Sequence, residues 1–168
     1  MRLFLIGFMG TGKSHWGALL SVKFAIPFFD LDTAIEEAEQ MTIAMIFEIK
    51  GEEYFRYREK ELLERLIADT PDVIISCGGG TPCFFNNIQL MRDKGMVIWL
   101  NTTLDVLINR LVKQKMSRPL IRNIADQDLA DFITRKLSSR RIYYSQANLV
   151  VNEETLTVDT FAEMITHA

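Results

Sequence analysis

Two hydrophobic rhythms alternate along the chain. Short runs of consecutive apolar residues at 3–6, 73–75, 96–100 and 149–151 read as buried strands, and Phe28 with Phe29, just after Pro27, reads as a further short one. Between them, apolar positions recur at helical spacing. The pattern predicts helices from the loop after residue 6 to about 24, then over 33–40, 43–49 and 52–68, with Phe55, Leu62, Leu63, Leu66 and Ile67 on one face of the last. Thr42 is placed to cap the 43–49 helix at its start and Gly51 to end it. Further helices are expected over 86–93, 102–113, 128–144 and 158–165, the third of these four following a loop at 114–125 that contains Pro119. Thr102 and Asp105 have the spacing of a capping box. Strands alternating with helices predict an α/β protein, a three-layer α/β/α arrangement around a central five-stranded parallel sheet. The 168 residues show no linker, repeat or low-complexity tract, so one domain over 1–168 is expected.

Residues 7–14 read GFMGTGKS, directly behind the first strand. A Gly-x4-Gly-Lys-Ser loop turns its backbone N–H groups onto phosphate oxygens, adds a lysine for the outer phosphates and offers a hydroxyl to a magnesium ion. Gly10, Thr11, Gly12, Lys13 and Ser14 are therefore candidate nucleotide-binding residues. Asp30 and Asp32 stand where the second strand should end, at the edge of an open parallel sheet where ligands bind. On an extended segment, positions i and i+2 share a face, so one carboxylate is placed for magnesium through water and the other for the group attacked. The triplet Gly78-Gly79-Gly80 ends the third strand and offers bare backbone N–H groups to a carboxylate or hydroxyl. Arg56, Arg118, Arg140 and Arg141 supply the cations that a transferring phosphoryl group or an anionic acceptor requires.

Composition narrows the classes. With 48% hydrophobic and 24% charged residues and a net charge of −3, the chain has the make-up of an ordinary soluble globular protein, and neither nucleic acid nor membrane is expected as partner. Residues 110–141 are locally basic, nine Lys or Arg against Asp126, Asp128 and Asp131. Cys77, Cys83, His15 and His167 are too few for a typical Cys/His zinc site, so any metal should be a hard cation on oxygen. Arg2 and the apolar residues after it faintly imitate a secretion signal, but Lys13 and the lack of a small-residue cleavage site oppose this. A cytoplasmic protein with reduced thiols is expected. A nucleotide-dependent switch should carry Asp-x-x-Gly and Asn-Lys-x-Asp motifs, and neither occurs.

The phosphate loop, Phe29-Asp30-Leu31-Asp32, Phe55-Arg56 followed by Glu59, Gly78–Gly80, Arg118-Pro119-Leu120 and Arg140 ahead of Tyr144 stand in the order and rough spacing of the shikimate kinases, and the resemblance covers nearly the whole chain. It implies a fold of the nucleoside-monophosphate-kinase type and ATP-dependent phosphorylation of the 3-hydroxyl of shikimate, with Mg2+, in aromatic amino-acid biosynthesis. The same resemblance implies that Asp32 meets the substrate hydroxyls as candidate base and that Asp30, with Ser14, serves magnesium. Arg56, Arg140 and Gly78–Gly80 would hold shikimate, with Phe55 beside them and Glu59 orienting Arg56. Lys13 and Arg118 would act in catalysis, Arg118 from a lid at 114–125, and His15 and Arg110 would join the nucleotide contacts. A monomer is expected. His15-Trp16 and Asn152 depart from the usual pattern, and strand three ends in Ser76 without the aspartate of many phosphate-loop proteins. A gluconate or nucleoside-monophosphate kinase, and an inactive nucleotide-binding relative, are the alternatives.

Overall fold

The computed structural model describes residues 1–118 and 120–168; Pro119, within the stretch 114–125 expected to form a lid, lies outside the described residues. Five parallel strands, β1 (Arg2–Ile6), β2 (Phe28–Asp30), β3 (Val73–Ser76), β4 (Met96–Leu100) and β5 (Leu149–Val151), form one sheet in the order β2-β3-β1-β4-β5. β1 is central, and its register sets Leu5 opposite both Ser76 and Ile98. Helices cover both faces, as parallel strands require. They are α1 (Lys13–Phe24), α2 (Leu31–Glu39), α3 (Ile43–Asp69), α4 (Asn87–Lys94), α5 (Leu104–Gln114), α6 (Asp126–Tyr144) and α7 (Val158–Thr166).

The two-residue alternation of β1 divides the core. Leu3 and Leu5 pack with Trp16 and Leu20 of α1 and Phe161 of α7, whereas Phe4 and Ile6 pack with Ile35, Phe55, Leu63 and Tyr144 on the opposite face. Trp16 is therefore core, its ring edge-on to Phe161 at 5.5 Å between centroids. A third cluster, Phe8, Leu107, Leu111, Ile121, Leu129 and Ile133, ties the phosphate loop to α5, α6 and the segment between them. No helix among the described residues is long and apolar enough to cross a membrane.

Three local readings change. α2 begins at Leu31, because Asp30 Oδ1 accepts from the backbone N–H groups of Asp32 and Thr33 and caps it; Asp32 is thus helical and not on an extended edge. α3 runs through the expected break at Gly51, whose φ of 86° and ψ of 167° kink it there. The capping box at Thr102 and Asp105 does not form. Thr102 donates its hydroxyl to Glu153 at 3.0 Å, and the backbone N–H of Thr103, the N-cap of α5, goes to Glu154 at 3.0 Å. Acids that arrive from beyond β5 outcompete the local pattern.

Candidate active site

The phosphate loop leaves the carboxyl end of β1 through three left-handed glycines, Gly7, Gly10 and Gly12, at φ of 141°, 85° and 82°, and Gly12 is the N-cap of α1. The helix start and the loop amides together suit an anion. Thr11 is buried and spends its hydroxyl on the carbonyl of Phe8 at 2.9 Å, so its side chain braces the loop from inside and does not line the cleft. Lys13 folds back, its Nζ donating to the carbonyls of Gly7 and Phe8 at 2.9 Å each. Burial pulls its pKa down to about 8, although Asp32 and Asp30 act the other way. Ser14 donates its hydroxyl to Asp30 Oδ2 at 2.5 Å, so Asp30 caps α2 with one oxygen and faces Ser14 with the other.

Above the loop lies a cleft of about 550 Å3, lined by Gly10, Gly12, Lys13, Ser14, His15, Asp30, Asp32, Gly78, Gly79, Arg110 and Arg118 among others. Asp32 is only partly exposed. Burial, then the charges of Glu59 and Asp30, push its pKa up from 3.8 to about 6 against the pull of Lys13 and Arg56. Arg110 donates to the carbonyl of Gly10 at 3.0 Å and pairs with Glu153 at 2.7 Å, which holds it against the phosphate loop. Arg118 lines the cleft, and its Nε and Nη2 donate to Gln114 at 3.1 and 2.9 Å. Burial lowers its pKa, with Asp32 opposing.

A smaller cavity of about 80 Å3 adjoins, sharing Met9 and lined by Phe8, Phe47, Glu52, Arg56, Leu120, Phe132, Lys136 and Arg140. Arg56 is buried, with Nη1 donating to Glu59 at 2.9 Å and its planar face 4.3 Å from the Phe84 ring centre. Glu59 is wholly buried and also accepts from the Thr81 hydroxyl at 2.5 Å, so it fixes Arg56 as expected. Phe55 lines neither cavity. It lies beneath Arg56, 5.0 Å from ring centre to guanidinium carbon, and packs on Phe47. Arg140 lies over Phe8, whereas Arg141 is exposed and lines neither cavity.

The glycine triplet is explained by space. None of its members lies in the left-handed region. A Cβ on Gly78 would come within 2.9 Å of Asp32 Oδ1 and Glu59 Oε1, one on Gly79 within 3.0 Å of Arg140 Nη1, and one on Gly80 within 2.6 Å of Arg56 Nη2. Four charged groups converge on one bend of bare backbone. Tyr144 holds that bend, donating to the carbonyl of Gly79 at 2.5 Å, and burial raises its pKa. Burial likewise pushes the Cys77 thiol far up, leaving it inert.

Sequence reasoning missed Thr81, Glu52, Lys136 and Glu153. Thr81 and Glu153 carried a usable signal, since each stands shortly after the carboxyl end of a strand, β3 and β5 respectively. Glu52 and Lys136 look like ordinary helix-surface charges and carried none.

A family model described as shikimate kinase matches residues 9–168. A shikimate kinase of Azobacteroides pseudotrichonymphae genomovar. CFP2 is 37% identical over 162 residues, covering 96% of this chain and 95% of that one. Among solved structures, the shikimate kinase of Bacteroides thetaiotaomicron superposes with a TM-score of 0.90 at 35% identity, over 99% of this chain and 97% of the other. That of Acinetobacter baumannii, in complex with shikimate, superposes with a TM-score of 0.87 at 27% identity, over 99% and 90%. The sheet order and the flanking helices are those of phosphate-loop kinases of the nucleoside-monophosphate-kinase type. With a loop built for polyphosphate, a cavity walled by arginine and a carboxylate between them, the chain belongs to the shikimate kinase family.

Proposed function

We propose that this chain transfers the γ-phosphoryl group of ATP to the 3-hydroxyl of shikimate, with the polyphosphate in the larger cleft and the acceptor's carboxylate in the smaller cavity. Asp32 carries the reading. It is the carboxylate that lines the phosphate cleft while lying close enough to Glu59 and Arg56 to feel both charges. It accepts the proton of the 3-hydroxyl as the hydroxyl oxygen forms its bond to the γ-phosphorus. The bond from that phosphorus to the β–γ bridging oxygen breaks, and shikimate 3-phosphate, ADP and a proton leave. A carboxyl poised near neutrality both takes and releases that proton.

Arg56 and Arg140 pair with the acceptor's carboxylate, and the amides of Gly78–Gly80 meet its ring oxygens. Lys13 leaves the carbonyls of Gly7 and Phe8 for the outer phosphates. Arg118 answers the charge that spreads over the transferring group, carried by residues 114–125 acting as a lid that excludes water. Buried Ile121 anchors that segment while Leu120 stays exposed. Arg110 borders the nucleotide from α5. The donor set beside the loop, one hydroxyl and one carboxylate, is all hard oxygen and fits Mg2+. No group of three or more His, Cys, Asp or Glu able to hold a metal occurs among the described residues, so Ser14 and Asp30 would hold the ion only together with phosphate oxygens and water. When bound, it neutralises charge on the β- and γ-phosphates. In this reading the enzyme acts as a monomer in the cytoplasm.

The test is ADP release from ATP, measured in parallel with shikimate, gluconate and nucleoside monophosphates. Only shikimate should respond. A comparable rate with gluconate or a nucleotide would overturn the assignment of the smaller cavity.

A further inference from the structure

Arg56 holds its two acidic partners very differently. Its Nη1 donates to Glu59, which is buried and clamped from behind by Thr81. Its other edge, Nε and Nη2, donates to one oxygen of Glu52 at 3.3 and 3.2 Å. That edge is the fork on which a carboxylate docks through two parallel hydrogen bonds. In this structure a protein carboxylate already sits there.

Glu52 is also the partner free to leave. Its side chain is 57% exposed, and among the described residues its carboxylate meets only Arg56. It directly follows Gly51, where the backbone kinks and nothing lies within 4 Å of the Cβ position. Arg56 has no such freedom, held on its faces by Phe84 and Phe55 and at one end by Glu59. Lys136 lines the same small cavity one helical turn before Arg140, and it makes no ion pair with the described residues.

We propose that Glu52 is an internal stand-in for the acceptor's carboxylate: it occupies the Nε/Nη2 edge of Arg56 in the empty enzyme, yields it when the acid binds, and is received by Lys136. This rests on the reading of Arg56 given above. The exchange keeps a buried guanidinium compensated at every stage, since leaving its donors unpaired would be costly. It swaps one carboxylate for another, so the charge around Arg56 changes little on binding. The competition also taxes affinity: whatever holds Glu52 on Arg56 must be repaid by the acceptor.

The experiment is calorimetric titration of Glu52→Gln with shikimate and, separately, with ATP. Removing the competitor should tighten shikimate binding about two- to fivefold, the scale of one partly exposed ion pair. ATP binding should not move, and the gain should vanish in an Arg56→Ala background. Weaker or unchanged shikimate binding in Glu52→Gln would overturn the proposal, because a residue that merely buttresses Arg56 cannot improve affinity when removed. Lys136→Met should weaken shikimate binding with Glu52 present and have no effect in the Glu52→Gln background. An equal loss in both would mean that Lys136 touches the acceptor itself and would remove it as the landing point. If Arg56→Ala alone bound shikimate normally, the assignment of the carboxylate site would fall instead, an outcome distinct from failure of the exchange.

Discussion

Asp32→Asn should make this protein more stable and nearly inactive at the same time. The carboxyl of Asp32 is pushed up from 3.8 to about 6 by burial and by the charges of Glu59 and Asp30. Between those two pH values the folded protein holds a proton that the unfolded chain has released, so folding gains stability in acid and loses it as pH rises through about 6. At neutral pH the native state carries a carboxylate that its surroundings disfavour. Two pKa units correspond to about 3 kcal/mol, and because the side chain keeps some solvent contact the expected gain from asparagine is about 1–3 kcal/mol. The amide carries no charge to desolvate, and its NH2 can donate to the acids that crowd it. Urea unfolding of both proteins near pH 7 should show the variant's midpoint higher at equal slope. Repeated toward pH 4, the gap should close, since the wild-type carboxyl is then protonated in the native state. Turnover of the variant should fall by at least about 100-fold, the usual scale for a positioned proton acceptor. A variant no more stable than wild type at neutral pH, or a gap independent of pH, would refute the electrostatic reasoning. Near-normal turnover would remove Asp32 as the base.

Arg56→Ala and Arg140→Ala should each weaken shikimate binding about 10- to 100-fold by titration, from about 1.5–3 kcal/mol per charge-assisted pair, and leave ATP binding nearly untouched. Equal losses for both ligands would assign these arginines to the nucleotide or the fold. Arg118→Ala should lower kcat in steady-state assays more than it raises the KM for shikimate, because the lid proposed at 114–125 acts when closed. Gly80→Ala should raise the KM for shikimate several-fold while circular dichroism stays native, since its Cβ would fall 2.6 Å from Arg56 Nη2 and push that side chain aside. Lys13, lowered to about 8 by burial, is partly neutral in the empty protein near that pH. ATP phosphates restore its charge, so binding should take up protons near pH 8 and not near pH 6, as read from calorimetry in buffers of different ionisation enthalpy.

All five strands were legible as short apolar runs because a parallel sheet covered on both faces asks for nothing else. The phosphate loop was legible because its chemistry is local: seven consecutive peptide units make the cradle, and no distant residue is needed to recognise it. Where the signal depended on partners far along the chain, the reading was weaker. Thr102 and Asp105 satisfied a local rule, yet Glu153, arriving from beyond β5, takes the Thr102 hydroxyl and Glu154 the amide of Thr103. Asp30 and Asp32 were assigned to the right cleft with the wrong backbone, because the cap that Asp30 forms turns the chain into helix one residue before Asp32. Phe55 stood next to Arg56 in sequence, but helical rotation places one in the core and the other over the cavity. Glu52 was invisible in principle. Nothing in an exposed-looking glutamate four residues from an arginine distinguishes a solvated pair from one end of a binding site.

The bend at Gly78–Gly80 shows why the two halves of the site cannot vary independently. β3 lies beside β1, so its carboxyl end meets the phosphate loop, and a Cβ on Gly79 would fall 3.5 Å from the carbonyl of Gly7 and 3.6 Å from the amide of Met9. The same carbonyl of Gly7 holds Lys13. On its other side the bend receives Asp32 and Glu59 at Gly78, Arg140 at Gly79 and Arg56 at Gly80, while Tyr144 of α6 fixes its carbonyl. One stretch of backbone without side chains therefore sets the separation between the phosphate donors and the groups assigned to the acceptor. Phosphoryl transfer depends on that separation, because a displacement of about 1 Å from the productive arrangement can cost about 100-fold in rate. The requirement accounts for three consecutive glycines where a turn alone would need at most one.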